Sequence, residues 1–485
     1  MSSSEGTPAE SALFSEFCML LEKLQKSKQR QEQYNIINSS FFPILRLLLP
    51  KEERERGAYN LKETTLKELL IKVLAPGKDD TEKLRRYQSN TQNSDFAGAA
   101  YFVLKNRVKS SGTLTIGNIN RILDKIANAE VGNKAQAIRS LSADQIMWFL
   151  RIILKDLKLG IGHQRILAAF HPDAPDLYDN CRNLVKVCRH ILLTSRLSIL
   201  YRLLDDKQAD YGETRLPEAG IQVFFAVAPM LSERLDVANV DSLPQHQTYY
   251  IEAKFDGERF QMHMENGKFE YFSRKGYTWS GTYGSNYDSG LLTPDLKNCF
   301  SPSVTSVILD GEMMGWHKYH QCLGSKGMNF DIKKITDRSS FRPCFCVFDI
   351  LYYNGKSLVG PSEKGGLPLN ERLNLLENIF TEIKGVIHHS KRTIVKKSVD
   401  ILDALNEAIE NQEEGIVVKD SASYYLANKR SAGWYKIKPE VRKPTPEIAM
   451  EDMDLVIIGA DEAENKSQGR ASSFVVACAD IVEPG

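Results

Sequence analysis

The sequence has no apolar run long enough to cross a bilayer, and no Lys- or Arg-led apolar segment opens it. The longest candidates, PILRLLL at 43–49 and VFFAVAPML at 223–231, stop far short of the roughly 20 residues a spanning helix needs. A soluble intracellular protein with no membrane partner is therefore the expectation. Cysteine is sparse: Cys18, Cys181, Cys188, Cys299, Cys322, Cys344, Cys346 and Cys478 are scattered through 485 residues. Only Cys344 and Cys346 stand close, and no second pair follows at ligand spacing, so neither a disulfide framework nor a zinc ribbon is expected. His317 and His320, and the adjacent His388 and His389, read as loop or surface residues rather than ligands. Internal repeats and low-complexity tracts are absent too.

Net charge is also missing, with 63 Lys+Arg against 62 Asp+Glu, but the balance hides an asymmetry. Residues 81–200 carry 18 basic against 9 acidic side chains, a surplus of nine that the rest of the chain cancels. A segregated positive region is what a protein that holds a polyanion requires. The length exceeds what one core organises, so two or three domains are expected.

The first 240 residues read as helical. Leu13, Phe17, Leu20, Leu21 and Leu24 recur at helical intervals, as do Leu66, Leu69, Leu70 and Val73 before a Pro76-Gly77 stop. In SADQIMWFLRIILKDLKLG, Ser142 and Gln145 resemble a capping box, and Ile146, Phe149, Leu150, Ile153 and Leu157 make a buried stripe ending at a Gly160 cap. Arg151, Lys155 and Lys158 then share the outer face and are the candidate contacts for a polyanion. SERLDVANVDSLPQHQT, residues 232–248, reads as a linker. Beyond it helical periodicity gives way to alternation. Asn266-Gly267 joins two apolar runs as a hairpin, and strands are expected at 304–309, 344–351, 415–419 and 433–438, with a helix over 399–410. Two further strands, MDLVIIGA and SSFVVACAD, cannot close a barrel alone. That predicts a chain cut short of a longer protein.

The chemistry concentrates in six strings. In EAKFDGER, residues 252–259, Glu252 and Lys254 point to one side of a strand, and Asp256-Gly257 turns the chain so that Arg259 can return. A lysine becomes nucleophilic when burial or nearby cations lower its pKa, and Arg259, Lys419, Lys436 and Lys438 can supply the cations. SRKG (273–276), LDGEMM (309–314), CVFDI (346–350), EEGIVVK (413–419) and WYKIK (434–438) each bring a charged side chain to a strand edge. Lys436 and Lys438 face one way, which wastes a buried strand unless an anion lies against them. Phe348 is either core or a platform beneath a purine.

In this order and spacing the six strings resemble the nucleotidyltransferase motifs of the ATP-dependent DNA ligases, and KFDGER fits that family's signature at every fixed position. Connecting text (ERERGAYNLKE at 53–63, IILKDLKLGIG at 152–162, FDIKK at 330–334, ALNEAIENQEEGIVVK at 404–419, GWYKIKPE at 433–440) is most similar to the eukaryotic end-joining branch, the ligase IV group. The resemblance implies a multidomain chain: an all-α DNA-binding domain (1–240), an α+β nucleotidyltransferase domain (241–440) and the beginning of an OB-fold β-barrel (441–485).

It implies Lys254 as the adenylated lysine, with ATP as substrate, AMP as covalent adduct and Mg²⁺ as metal. Arg259 and Arg274 would contact ribose, AMP phosphate or the DNA end. Glu252 would lie near adenine, Phe348 would stack on it, and Glu312 would contact ribose or metal. Glu414 would help hold metal, and Lys419, Lys436 and Lys438 would address phosphates. It further implies nicked or broken duplex DNA as substrate, nuclear location, an end-processing partner on the helical domain, and a coiled-coil scaffold bound through BRCT repeats absent from this sequence. With the barrel and its last basic motif incomplete, the chain is expected to bind ATP but adenylate itself poorly. The rivals are an mRNA capping guanylyltransferase or RNA ligase, and a non-catalytic DNA-end or partner-binding fragment.

Overall fold

Amphipathic helices at the start of the chain and alternating strands after them set up two hydrophobic cores. The computed structural model describes residues 12–26, 42–86, 95–106, 113–128, 138–191, 220–244, 247–324, 331–411, 413–439, 456–462 and 471–477. The first core runs from Phe14 to Ile191, and among the described residues its regular elements are helices. In the helix Phe14–Lys26 the buried stripe is Phe14, Phe17, Cys18 and Leu21. Leu13, expected inside, precedes the helix and is exposed, bridging Thr115 instead. The side chain of Leu24 lies outside the described residues.

The capping box is present. Ser142 Oγ accepts from the Gln145 backbone, and Gln145 Oε1 accepts from the Ser142 backbone at 3.0 Å. The helix it starts, Ala143–Ile153, is shorter than its apolar spacing predicts and buried on nearly every side, Trp148 and Ile152 included. Gly160 is not its cap. After Leu154 the chain turns through left-handed conformations at Lys155 (φ 58°) and Lys158 (φ 55°), which lets both Leu157 and Leu159 reach the core. The shared basic face of Arg151, Lys155 and Lys158 therefore does not exist. Arg151 is buried, its guanidinium bidentate on Asp95 at 2.8 and 3.0 Å and laid over the Trp148 ring.

The second core is built on two sheets. Their strands are β1 (Glu233–Arg234), β2 (Tyr249–Ala253), β3 (Glu258–Glu265), β4 (Lys268–Ser273), β5 (Ser306–His317), β6 (Cys322–Gly324), β7 (Phe341–Tyr353), β8 (Lys356–Ser357), β9 (Ile387–His389), β10 (Arg392–Val395), β11 (Ile416–Asp420) and β12 (Trp434–Ile437). One sheet runs β1-β12-β11-β2-β10; the other runs β4-β3-β5-β7-β8, with β6 on β5 and β9 parallel to β7. The β3–β4 hairpin turns at Asn266 (φ 50°) and Gly267 (φ 76°), the two positive values its tight turn demands. The helix Ser398–Glu410 covers the first sheet, packing Ile401, Leu405 and Ala408 near Ile251, Val418 and Ile437.

The stretch read as a linker belongs to this unit: β1 pairs with β12, and Val240 and Leu243 are buried beneath the sheet. The strands β13 (Val456–Glu462) and β14 (Ala471–Ala477) pair antiparallel as expected. Among the described residues no barrel closes around them. Among the described residues no disulfide forms, and all the described cysteines except Cys322 are buried.

His263 on β3 is fully buried, and its Nδ1 accepts from the Phe224 backbone at 3.0 Å. Burial pushes its pKa down to about 3. Because the folded value lies below the unfolded one near 6.5, this neutral ring contributes fully above pH 6.5 and its contribution is lost as pH falls toward 3. Going from pH 7 to 5 should therefore cost roughly 2 kcal/mol through this group alone. His263→Gln keeps an acceptor but cannot be protonated. Its urea unfolding should be less sensitive to that pH change by about the same amount, and an equally steep loss in the variant would refute the assignment.

Candidate active site

Lys254 sits where β2 runs out into a tight loop, and two glycines make the loop possible. A side chain on Gly257 would fall 2.5 Å from Met314 Sδ and 2.7 Å from the Met313 carbonyl, so the loop presses directly on β5. Gly415 (φ 129°) accepts from the Lys254 backbone at 2.8 Å, and a Cβ there would lie 2.3 Å from the Ile437 carbonyl. KFDGER and EEGIVVK are thus locked together by backbone. Lys254 Nζ is ion-paired with Glu414, whose other oxygen holds Lys438 Nζ. Burial would raise the Glu414 pKa, but Lys254 and Lys438 pull it below its ordinary value.

The loop closes one side of a cavity of about 380 Å³ between the two sheets, lined in part by Glu252, Arg274, Glu312, Phe348, Lys436 and Lys438. Two buried ion pairs form its wall. Lys419 Nζ lies 2.8 Å from each oxygen of Glu252, and Ser390 Oγ donates to the same carboxylate at 2.9 Å. Arg259 donates to Asp310 at 3.1 and 2.6 Å and to the Met230 carbonyl at 2.7 Å, while Tyr425 donates to Asp310 at 2.7 Å. Burial would lower the Arg259 pKa; Asp310 and Tyr425 more than offset it and hold it above the ordinary value.

Phe348 is half-buried between these pairs, with Arg259 5.1 Å and Lys419 4.6 Å from its ring centre. Its position comes from a bulge. Gly311 pairs with Val347 and Asp310 with Asp349, leaving Phe348 unpaired, and such an inserted residue re-aims its side chain. Phe348 is thus both a core edge and a pocket wall.

Lys436 lies between Trp434 and Lys438 and has no carboxylate partner among the described residues; burial and the cations Arg430 and Lys254 lower its pKa. Glu312 goes the other way. Burial raises it to about 7 despite Arg259 and Lys254, a carboxyl short of positive charge. No cluster of three or more ligating side chains occurs among the described residues. Magnesium needs no such cluster, since it commonly takes one or two carboxylates and completes its shell with phosphates and water. Glu312 lines the cavity, and Glu414 holds two of its lysines.

Two family models match the chain: ATP dependent DNA ligase domain over residues 229–438, and DNA ligase N terminus over 13–171. DNA ligase 4 of Gallus gallus is 37% identical over 513 aligned positions, covering 99% of this chain and 53% of that protein. DNA ligase 4 of Homo sapiens is 36% identical with the same coverage, and that of Dictyostelium discoideum 29% identical, covering 96% and 46%. The chain belongs to the ATP-dependent DNA ligases. It is closely related to DNA ligase 4 over nearly its full length, and it spans about half the length of these curated relatives.

The cavity gathers Glu252, Lys254, Arg259, Arg274, Glu312, Phe348, Lys419, Lys436 and Lys438 from segments up to 186 residues apart, with Glu414 on its rim. Arg151, Lys155 and Lys158 lie in the helical unit, away from it. Sequence reasoning missed Asp310, Tyr425, Ser390 and Arg430. Asp310 stood inside LDGEMM and its signal was available, since a carboxylate mid-strand among apolar residues needs a cation. Tyr425 and Ser390 sit in segments with no motif.

The two kinds of lysine and arginine partner differ in what they stabilise. Asp310→Ala strands a buried guanidinium and should cost about 3–5 kcal/mol. Lys254→Ala removes a partly exposed pair and should change stability by no more than about 1 kcal/mol. Urea unfolding of both variants checks this, and similar losses would erase the distinction.

Proposed function

We propose that this chain is the catalytic region of a ligase that seals breaks in duplex DNA, with Lys254 carrying AMP. The observation that carries the reading is Lys254 Nζ beside a cavity with an aromatic wall at Phe348 and a row of cations at Arg274, Lys436 and Lys438. The lysine amine, having given up its proton, attacks the α-phosphorus of ATP. A nitrogen–phosphorus bond forms, the bond to the β-phosphate oxygen breaks, and pyrophosphate leaves. The AMP then passes to a 5′-phosphate at the break, and a 3′-hydroxyl displaces it. Each step gathers charge on phosphate oxygens, which Lys436 and Lys438 are placed to meet. Mg²⁺ held by Glu312 and Glu414 would neutralise part of that charge. Glu252 stands at the end of the cavity assigned to adenine.

A protein that seals any break must hold DNA through its phosphates. The helical unit is the proposed grip, with Lys155 and Lys158 on the loop after Ile153 as contacts; Arg151 is committed to Asp95. Domain limits near 240 and 440, an OB-fold begun by β13 and β14, a nuclear role in end joining, and a scaffold partner beyond this chain complete the proposal. They rest on the kinship with DNA ligase 4. A capping guanylyltransferase would have no use for the helical unit.

Intact-mass analysis after exposure to ATP and Mg²⁺ tests the lysine. AMP should appear slowly and in less than stoichiometric amount, all of it on Lys254, with none on Lys254→Ala and none when GTP replaces ATP. Modification of another lysine would overturn the site. For the DNA grip, Lys155→Glu with Lys158→Glu should weaken binding to nicked duplex and reduce the salt slope by roughly two. An unchanged slope would remove these lysines from the interface.

A further inference from the structure

We propose that Arg54, in the helical unit, is a positioning residue for the nucleotide cavity, acting through the turn that carries Arg274. The turn leaves β4 at Ser273, whose backbone donates to the Tyr277 carbonyl at 2.9 Å, and Gly276 donates back to Ser273 at 2.7 Å. On its inner side the Arg274 backbone donates to the Arg259 carbonyl at 3.0 Å, and the Arg274 side chain lines the cavity. The outer side meets the helical unit. Arg54 Nε donates to the Lys275 carbonyl at 3.1 Å, and its guanidinium lies 4.6 Å from the centre of the Tyr277 ring.

A planar cation with one N–H spent on a carbonyl and its face spent on a ring fixes both the height and the tilt of the turn. Arg54 is itself held. Its side chain is only 12% exposed, donating to Glu52 at 3.3 Å and to the Lys51 carbonyl, and Glu52 is steadied by the Tyr178 hydroxyl at 2.7 Å. Arg182 packs on the other flank of the turn, where any side chain added at Gly276 would meet it within about 3.4 Å. The aim of Arg274 into the cavity therefore depends on the helical unit being docked. A separate contact, Asp179 accepting from the Ala228 backbone at 2.7 Å and from Asn428 at 3.3 and 3.2 Å, holds the same two units together without touching the turn.

This inference rests on the nucleotide reading of the cavity, and the test separates the two. Calorimetric titration of the whole chain with ATP and with adenosine would compare the wild type, Arg54→Ala, Arg54→Lys, Tyr277→Leu, Arg274→Ala and the Arg54→Ala/Arg274→Ala double variant. Arg54→Ala should weaken ATP roughly three- to tenfold and leave adenosine unchanged, because Arg274 addresses phosphates. Arg54→Lys should recover most of the loss. Tyr277→Leu, at a surface ring, should reproduce part of it. In the Arg274→Ala background, Arg54→Ala should add nothing. Equal loss for ATP and adenosine, or additive losses in the double variant, would reduce Arg54 to a merely structural residue and overturn the proposal. A wild type that binds ATP while Arg54→Ala matches it would overturn this inference alone; a wild type that binds no ATP would overturn the nucleotide reading beneath it.

Discussion

Two buried aspartates face each other across the central ladder, and the site depends on how their charge is met. Asp310 on β5 is paired directly with Asp349 on β7, and both are fully buried. Like charges opposed across strands repel, and a buried carboxylate without a partner is costlier still. Each is answered by a bidentate arginine. Arg259 comes from β3, immediately after the lysine loop, and Arg372 from the helix Leu369–Leu376, donating to Asp349 at 2.8 and 2.9 Å. Tyr425 joins the two, donating to Asp310 and lying against the Arg372 guanidinium. Lysine loop, central strands, covering helix and the segment around 425 are thereby one body, in which none of the four charges can move without stranding another.

That constraint sorts the cations into two tiers. Arg259 and Lys419 are committed to buried carboxylates, and both lie against Phe348 and Trp434, so they shape the wall. Lys254, Lys436 and Lys438 are partly exposed, and what holds the first and last is the single carboxylate of Glu414. Fixed charges of the first kind give a cavity its electrostatic preorganisation; those of the second kind remain available to an anion.

Much of this was legible in the sequence, and the failures have physical causes. The Asn266-Gly267 hairpin, the Ser142–Gln145 cap and the strand carrying Lys436 are local effects, set by φ preference, side-chain reach and period-two alternation. Arg151 misled because its position on a helical wheel said nothing of Asp95, 56 residues away, which buries it. The helical reading of Lys155 and Lys158 failed because the helix stops where a non-helical path buries Leu157 and Leu159 together, a tertiary gain that overrides local periodicity. The bulge at Phe348 had no signature at all. Strict alternation along CFCVFDI puts that ring on the side of Cys344 and Cys346, whereas the extra residue in the ladder is set by the pairing of Asp349 with Asp310.

The carboxylate between Lys254 and Lys438 ties these threads together. Glu414 comes shortly after the end of the helix Ser398–Glu410 and precedes Gly415, the residue whose carbonyl holds the Lys254 backbone, so its place opposite the lysine is fixed by main chain rather than by side-chain choice. Its two oxygens are each taken by an ammonium group, so one carboxylate holds Lys254 and Lys438 side by side at the cavity. In the proposed reaction phosphate oxygens would compete with Glu414 for Lys438, and a divalent ion would compete with the ammonium groups for Glu414. Both exchanges would free Lys254, so in the proposed reaction the nucleophile would be uncovered by the same charges that bring in its substrate.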